Sequence, residues 1–260
     1  MKEFLRTPPG KVIAGITVLI FAGTFIWQTG LAGQANDFIN DTLKHSPINV
    51  DVEEGIPCPA AAATKLTRPP TNVQQMKQLT PTGLQNVALQ LSSQRSATLD
   101  IYQMRVNILS EAPPLKGALV FGQCGGGTSS IVLTTQLNSS ASVLRDAAST
   151  NAPYFPSHHI TLSPRETIEL VVAASAVQHT YAWDLSMDYV YNGHNQTVTV
   201  DGGGVQRSGN QSRPFMVTDF ATGPGEYGTI FSPVQSGLQL VPPSEYCSNP
   251  FVLGVHGWRC

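Results

Sequence analysis

Two aspartates on one predicted strand are the first candidates for chemistry. Asp184 and Asp188 alternate with the apolar series of residues 180–191, so both lie on the polar face of that strand. Four strand residues separate their Cα atoms by about 13 Å, whereas the paired carboxyl groups of glycosidases lie roughly 5–9.5 Å apart. The spacing favours a solvated sheet face over a catalytic pair, and we predict no catalytic residue.

Four histidines are the candidate metal ligands: His158, His159, His179 and His194. The first two are adjacent, so on a strand they point to opposite faces and do not easily hold one ion. A site formed by one of them with His179 or His194 is the alternative. We expect exposed loop histidines instead, and we predict neither a metal nor a cofactor.

Two glycine clusters, at residues 125–127 and 202–204, invite comparison with phosphate-binding loops. Neither carries the Lys-Ser/Thr pair that reaches phosphate and metal in such loops. Asp201-Gly202 is a turn signal that follows a predicted strand. The chain also contains no Gly-x-Ser-x-Gly and no His-Glu-x-x-His motif. We therefore interpret both clusters as turns.

The cysteines predict a disulfide framework. All four follow the apolar N-terminal segment and none forms a Cys-x2-Cys pair: Cys58, Cys124, Cys247 and Cys260. An even number of cysteines in an oxidising compartment favours disulfides. Of the three pairings we favour Cys247–Cys260, which closes a short C-terminal loop and leaves Cys58 with Cys124. One disulfide with two free thiols is the alternative.

The composition limits the class of partner. Charged residues make up 12% of the 260 residues, with 15 basic against 17 acidic side chains and a formal net charge of −2. A near-neutral chain lacks the basic surface that nucleic-acid binding needs, so we predict no nucleic-acid partner. Hydrophobic residues at 41% suffice for a folded core, while 23 Gly and 19 Pro favour strands and turns over long helices.

An uncharged apolar segment predicts a membrane helix. Residues 12–31 supply the length of about 20 residues that a spanning helix needs. Basic residues precede this segment and acidic residues follow it: Lys2, Arg6 and Lys11, then Asp37 and Asp41. The positive-inside rule then places residues 1–11 in the cytoplasm and the rest outside the cell membrane. A signal peptide cleaved after Ala35 is the alternative.

The remainder is predicted to be an all-β domain after a stalk. Residues 32–84 are interpreted as stalk and linker, with a possible strand at 48–52. From 85 to 260, short apolar runs separated by turn residues predict twelve strands, at 86–91, 98–109, 117–122, 131–137, 159–162, 167–174, 180–191, 196–201, 215–218, 229–231, 238–241 and 251–255. Residues 143–148 are a possible helix. We predict a two-sheet antiparallel sandwich preceded by one N-terminal transmembrane helix.

Three local features refine this prediction. The alternating series of residues 181–191 places Trp183 between the two sheets. Asn192-Gly193 is a hairpin turn between 180–191 and 196–201. The apolar series of strand 98–109 changes phase, which a β-bulge near Tyr102 explains.

A series of motifs then resembles a known group of domains. In chain order the motifs are Phe121-Gly-Gln-Cys124-Gly-Gly-Gly127, Phe155-Pro156, Leu162-Ser-Pro-Arg-Glu166, Trp183-Asp-Leu-Ser-Met-Asp-Tyr189, Thr197-Val-Thr-Val-Asp201-Gly202 and Arg213-Pro-Phe215. Over residues 85–220 the chain resembles uncharacterised extracytoplasmic β-sandwich domains of actinobacterial single-pass membrane proteins. The resemblance implies fold and location but no activity and no site residue. Some members carry a cytoplasmic regulatory module, for which the tail of about eleven residues is too short.

These observations favour a binding function. We expect a membrane-anchored extracytoplasmic binding or scaffolding module of the cell envelope, which contacts the lipid bilayer through residues 12–31 and an unknown envelope protein or glycan through the loops 151–159 and 202–214. The alternative is a surface hydrolase acting on an envelope polysaccharide or ester. A polar pocket that holds Asp184, Asp188 or His179 would favour the hydrolase. A subunit that a partner completes is the third hypothesis.

Overall fold

A computed structural model describes residues 46–122, 131–138, 143–148, 152–207, 209–255 and 258. These residues form β1 (Ile48–Glu54), β2 (Ala60–Ala63), α1 (Val73–Met76), β3 (Thr80–Thr82), β4 (Leu84–Ser93), β5 (Leu99–Ala112), β6 (Ala118–Phe121), β7 (Ile131–Leu137), β8 (Arg145–Asp146), β9 (Ile160–Leu162), β10 (Thr167–Ala176), β11 (Thr180–Tyr191), β12 (His194–Asp201), β13 (Gly204–Val205), β14 (Phe215–Thr218), β15 (Thr229–Val234), β16 (Gly237–Val241) and α2 (Pro250–Leu253). The predicted all-β class is confirmed.

The strands form two sheets in a sandwich-like arrangement. The smaller sheet has the order β1-β4-β10-β7-β8. The larger sheet has the order β13-β12-β11-β14-β3-β2-β6-β15-β16, with β5 pairing both β11 and β9. Three pairings are parallel, namely β7–β10, β3–β14 and β6–β15. The predicted antiparallel sandwich is therefore a mixed one, because long crossovers join strands that are distant in sequence.

The main core lies between the sheets and follows the alternation of the sequence. Alternate residues of β4 contribute Val87, Leu89 and Leu91, which are fully buried. The apolar series of β11 faces them, and Trp183 is fully buried in this core, as predicted. Period-2 alternation thus identifies the inner face of both strands.

The predicted hairpin and bulge are both confirmed. Strand β11 pairs with β12 across a turn in which Asn192 has φ 49° and Gly193 has φ 74°. Two consecutive positive φ angles are what a type I′ hairpin turn requires. The β5–β11 register shifts at Tyr102 and again at Leu109, and the second bulge was not predicted.

The range predicted as stalk and linker contributes strands to both sheets. Strand β1 pairs with β4, and β2 lies between β3 and β6. Residues Ala60, Ala61 and Ala62 of β2 are fully buried. The proline-rich composition indicated a linker, but small side chains allow this segment to pack inside the sheet.

Two further local predictions are wrong. Residues 250–253 form α2 instead of a strand, because Pro250 starts the helix and the Asn249 side chain accepts hydrogen bonds from the backbone of Phe251 and Val252. Within the predicted helix 143–148, the residues of β8 pair with β7 instead.

A second, smaller core ties down the C-terminal part of the chain. It contains Leu119, Ile230 and Val252, among other buried residues. Trp258 packs against this core, and its Nε1 donates a hydrogen bond to the carbonyl oxygen of Ala221 at 2.7 Å. Packing and hydrogen bonding of Trp258 therefore hold the C-terminal part of the chain in place, a role that we predicted for a disulfide.

The predicted membrane span, residues 12–31, lies outside the described residues, which begin at Ser46. Within the described ranges, no helix has the length and apolar character needed to cross a membrane. The anchor therefore stays a prediction from the sequence.

Candidate functional site

A groove of about 310 Å³ runs beside β5. Residues 103–107 of β5 form one wall. The opposite wall consists of apolar side chains, namely Val143, Leu144, Pro153, Phe155 and Pro156. The second wall includes part of the loop 151–159, one of the two segments predicted to carry contacts. The groove thus joins two segments that are distant in sequence.

One edge of β5 is open along this groove. The strand pairs with β11 over its whole length, but with β9 only at Leu99, Asp100 and Ile101. Beyond Ile101, this edge has no strand partner within the described part of the chain. From residue 103 to residue 108 the pairing with β11 is regular, since the two bulges lie on either side of this stretch.

An ion pair fixes Arg105, one of the polar side chains of the β5 wall. Arg105 Nη2 lies 2.7 Å from Asp188 Oδ2, and Thr197 Oγ1 donates to Asp188 Oδ1 at 2.7 Å. Asp188 is buried while the Arg105 side chain is half exposed. A buried carboxylate is stable only when opposite charge and hydrogen-bond donors offset its loss of hydration, as Arg105 and Thr197 do here. The same contact holds the guanidinium of Arg105 in one place beside the groove.

An amide holds the second carboxylate. Asn107 Nδ2 donates to Asp184 Oδ1 and to Ser186 Oγ, both at 2.7 Å. Burial raises the pKa of Asp184; the hydrogen bond from Asn107 lowers that pKa in part, and the charge of Asp201 raises it further. The predicted solvated face is therefore wrong. Because β11 lies between β5 and β12, side chains from both neighbours cover its carboxylates.

The raised pKa of Asp184 has a consequence for stability. The folded protein binds this proton more tightly than the unfolded chain does, so the free energy of unfolding falls as the pH rises from about 4 through the raised pKa. We expect Asp184→Asn to keep the Asn107 contact, to be at least as stable as wild type at pH 7, and to lose less stability between pH 4 and 7. Urea titrations between pH 4 and 7 measure the free energy of unfolding of both proteins.

The control is Asp188→Asn, which weakens the ion pair with Arg105 and is expected to be less stable than wild type at pH 7. An Asp184→Asn protein with an unchanged pH dependence would contradict the assignment of this group.

A third carboxylate holds the glycine-rich segment after β12. Asp201 Oδ1 accepts from the backbone N–H of Gly203 at 2.8 Å, and its Oδ2 accepts from the backbone N–H of Arg213 at 2.6 Å and from Gln206 Nε2. Burial raises the pKa of Asp201, but hydrogen bonds from Arg213, Gln206, Gly203 and Ser212 outweigh it and leave the pKa lowered. This network joins the two ends of the loop 202–214 and confirms the turn at Asp201-Gly202. The other glycine cluster, residues 125–127, lies outside the described residues.

The four candidate histidines are dispersed. His194 starts β12 and is exposed. Within the described ranges, no three His, Cys, Asp or Glu side chains are placed to hold a metal ion. The other three candidate histidines each have a separate contact: His159 Nδ1 with Asp100 Oδ2 at 3.1 Å, His179 Nε2 with Glu111 Oε1 at 3.3 Å, and the His158 ring stacked on Tyr154 at 4.7 Å.

The cysteines differ from the predicted framework. Cys58 is disulfide-bonded, whereas Cys247 carries an exposed free thiol. The free thiol contradicts the predicted Cys247–Cys260 disulfide. The physical reason is local: Cys247 lies in the turn between a 3-10 helix and α2, and the strand that was expected to follow it does not form. Cys124 and Cys260 lie outside the described residues.

We predict that Cys58 is linked to Cys124. The register pairs Ala60 with Phe121, and the backbone N–H of Gly122 donates to the carbonyl oxygen of Pro59 at 2.8 Å. Cys124 follows Gly122 by two positions in the sequence. Non-reducing peptide mapping is expected to recover one Cys58–Cys124 peptide pair, with Cys247 alkylated as a free thiol. A Cys58–Cys260 pair would contradict the prediction.

The sequence pattern alone does not single out Arg105 and Asn107. Their signal is weak: they alternate with Met104 and Val106 on β5, as any polar residues on an outer strand face do. What distinguishes them is their contact with buried carboxylates. Asp184, Asp188 and His179 do not line the groove, so the structure does not bring together the pocket that was expected to favour a hydrolase.

No family model, no curated protein and no solved structure matches this chain. The resemblance to extracytoplasmic sandwich domains therefore stays an expectation from the motifs. Any functional conclusion depends on the geometry of the groove.

Proposed function

We propose that the chain is a membrane-anchored extracytoplasmic binding or scaffolding module of the cell envelope, and that the β5 groove is its contact surface. One observation carries the proposal. The open edge of β5 faces an apolar wall across a groove, so hydrogen-bonding groups and apolar contact surface are available to the same ligand.

The groove is also preorganised. Arg105 and Asn107 are held by Asp188 and Asp184. Side chains fixed in this way lose little conformational entropy when a ligand binds, which favours affinity. Leu144 and Phe155 are buried members of the main core, so the apolar wall is fixed as well.

The hydrolase alternative has one observation in its favour. A buried carboxyl group with a raised pKa, such as Asp184, is a candidate general acid. We place it second because its Oδ1 accepts from Asn107 and the side chain does not line the groove. Under the binding proposal, Asp184→Asn keeps its partner; under the alternative, this variant abolishes hydrolysis.

Affinity purification of the tagged full chain from its own membranes tests the binding function. Val143 lies in the groove wall and is 40% exposed, so Val143→Lys is expected to fold and to place a charge in the groove. The matched control is Leu240→Lys, on the edge strand β16 with 52% exposure. We expect a partner that wild type and the control retain and Val143→Lys loses. An identical set of co-purified proteins for all three would contradict the proposal.

The location is tested separately. With residues 12–31 as a retained anchor, protease added to spheroplasts is expected to digest the sandwich and to leave residues 1–31 protected. A mature N-terminus at Asn36 would show cleavage instead of anchoring. Full protection of the sandwich would contradict the orientation.

A further inference from the structure

We infer that the groove binds an extended, uncharged peptide segment as an added β-strand on the open edge of β5. The inference rests on the proposed function, which places contacts at the groove, and adds the chemical class of the ligand. Four features support it: the regular backbone of β5, the lack of protection at its edge, the apolar far wall and the absence of an unpaired charge among the described lining residues.

The backbone of β5 offers the spacing of a strand partner. Residues 103–108 pair regularly with β11, so they are extended and unbroken. In an antiparallel ladder, every second residue directs its N–H and C=O groups away from the paired neighbour. Three of these residues therefore present donors and acceptors on the groove side. Six residues span about 20 Å, the length of an ordinary strand.

Within the ranges that the structure describes, this edge lacks the usual protection. Natural sheets block their edges with Lys, Pro, bulges or covering segments. The sequence Gln-Met-Arg-Val-Asn-Ile at 103–108 contains neither Lys nor Pro, and its one charged residue, Arg105, is paired with Asp188. The two bulges, at Tyr102 and Leu109, limit the stretch without interrupting it, and β9 covers only the residues before it. The open region has the length of one added strand.

The two walls divide the recognition between them. The far wall carries Pro153 and Pro156, which have no backbone N–H, together with Leu144 and Phe155. It offers apolar contact, so backbone pairing comes from β5. Alternate side chains of a strand lie on opposite faces. In a bound peptide, every second side chain therefore lies beside Arg105, and the others point toward the apolar wall. Strand addition combines these two contributions in the same way.

The charge of the groove selects an uncharged ligand. Among the described residues that line it, Arg105 is the only one with a formal charge, and Asp188 Oδ2 lies 2.7 Å from its guanidinium. An anionic glycan or a nucleic acid would meet no uncompensated cation there. A neutral peptide backbone, in contrast, needs only the dipolar groups of β5 and the remaining N–H donors of Arg105, since both Nδ2 hydrogens of Asn107 are donated to Asp184 and Ser186.

The test selects ligands without assuming their sequence. A phage-displayed library of random peptides of about seven residues, the length of an ordinary strand, is panned against the full chain in lipid nanodiscs. Enriched peptides are synthesised with capped ends. Each is titrated against wild type, Val143→Lys and the control Leu240→Lys, and amide hydrogen exchange is followed over residues 102–108.

We expect enriched peptides to alternate apolar residues, to slow exchange in residues 102–108, and to bind Val143→Lys at least about tenfold more weakly than the control. Methylation of alternate peptide nitrogens is expected to abolish binding in one of its two phases, because only one set of N–H groups faces β5. Absence of enrichment, equal binding of both methylated phases, or protection elsewhere would overturn the inference.

A second copy of the chain is the other possible strand donor. Protection of residues 102–108 that rises with protein concentration in the absence of peptide would overturn peptide binding in its favour. If purification from membranes still yields a partner that depends on Val143, the groove remains the contact surface and only strand addition fails. The two proposals are therefore separable.

Discussion

Replacing Trp183 with alanine is expected to lower the free energy of unfolding by about 3–5 kcal/mol, a large fraction of the stability of a typical domain. The indole is fully buried between the sheets, and its ring centre lies 4.6 Å from that of Phe215. Its Nε1 donates to Gln85 Oε1 at 3.1 Å, and Gln85 Nε2 donates to Glu54 Oε2 at 2.9 Å. Alanine leaves a cavity and removes the donor from a buried amide.

Urea unfolding of the full chain measures this effect. The control is Trp183→Phe, which keeps an aromatic ring in the core but loses the hydrogen bond to Gln85. We expect this variant to cost about 1–3 kcal/mol, less than the alanine variant. Wild-type-like unfolding of Trp183→Ala would contradict the placement of this strand face inside the sandwich.

Replacing Asp201 with alanine is expected to lower the free energy of unfolding by about 2–4 kcal/mol, because two backbone N–H groups and one amide lose a charged acceptor. The segment from Gly202 to Arg213 is expected to open, with faster hydrogen exchange at Gly203 and Arg213. Residues 103–108 of β5 serve as the internal control, since none of these hydrogen bonds reaches them.

The pH dependence gives a second test of Asp201. The folded-state pKa is lowered, so the carboxylate stabilises the fold above its unfolded pKa of about 4, and this contribution is lost as the pH falls through the folded pKa. Asp201→Ala is expected to show a shallower loss of stability in acid than wild type. If the free energy of unfolding of Asp201→Ala falls as steeply in acid as that of wild type, the acid sensitivity belongs to other groups.

Local periodicity predicted much of this fold because it depends on residues close in sequence. The alternating series of β11 identified the buried face and Trp183, and Asn192-Gly193 identified the hairpin turn. The phase change near Tyr102 identified a bulge that the register confirms. Each of these signals lies within about a dozen consecutive residues.

Features that depend on distant residues were not predictable in this way. Strand β2 is a run of alanines with no alternation, and it becomes a strand because β3 and β6 pair with it. Asp184 and Asp188 were expected in solvent because the sequence does not show that Arg105, Asn107 and Thr197 cover them. Cys247 has a free thiol and is followed by a helix that Asn249 and Pro250 initiate, where a strand was expected.

The groove shows the same limit. Residues 103–107 of β5 form one wall and apolar residues between Val143 and Pro156 form the other, and no local pattern relates them. Part of one wall was foreseen, as a contact loop at 151–159. The open edge of β5 was not, since the number of strands that pair with a given strand is a property of topology.

Site-specific photo-crosslinking in intact cells tests the central claim most directly. A photoreactive phenylalanine analogue replaces exposed Gln103 in the groove wall or, as the control, exposed Leu240 on β16. We predict that irradiation links position 103 to one envelope partner, that adding Val143→Lys removes this adduct, and that position 240 does not form it. The same adducts at both positions, or none at position 103, would contradict a binding module that acts through this groove.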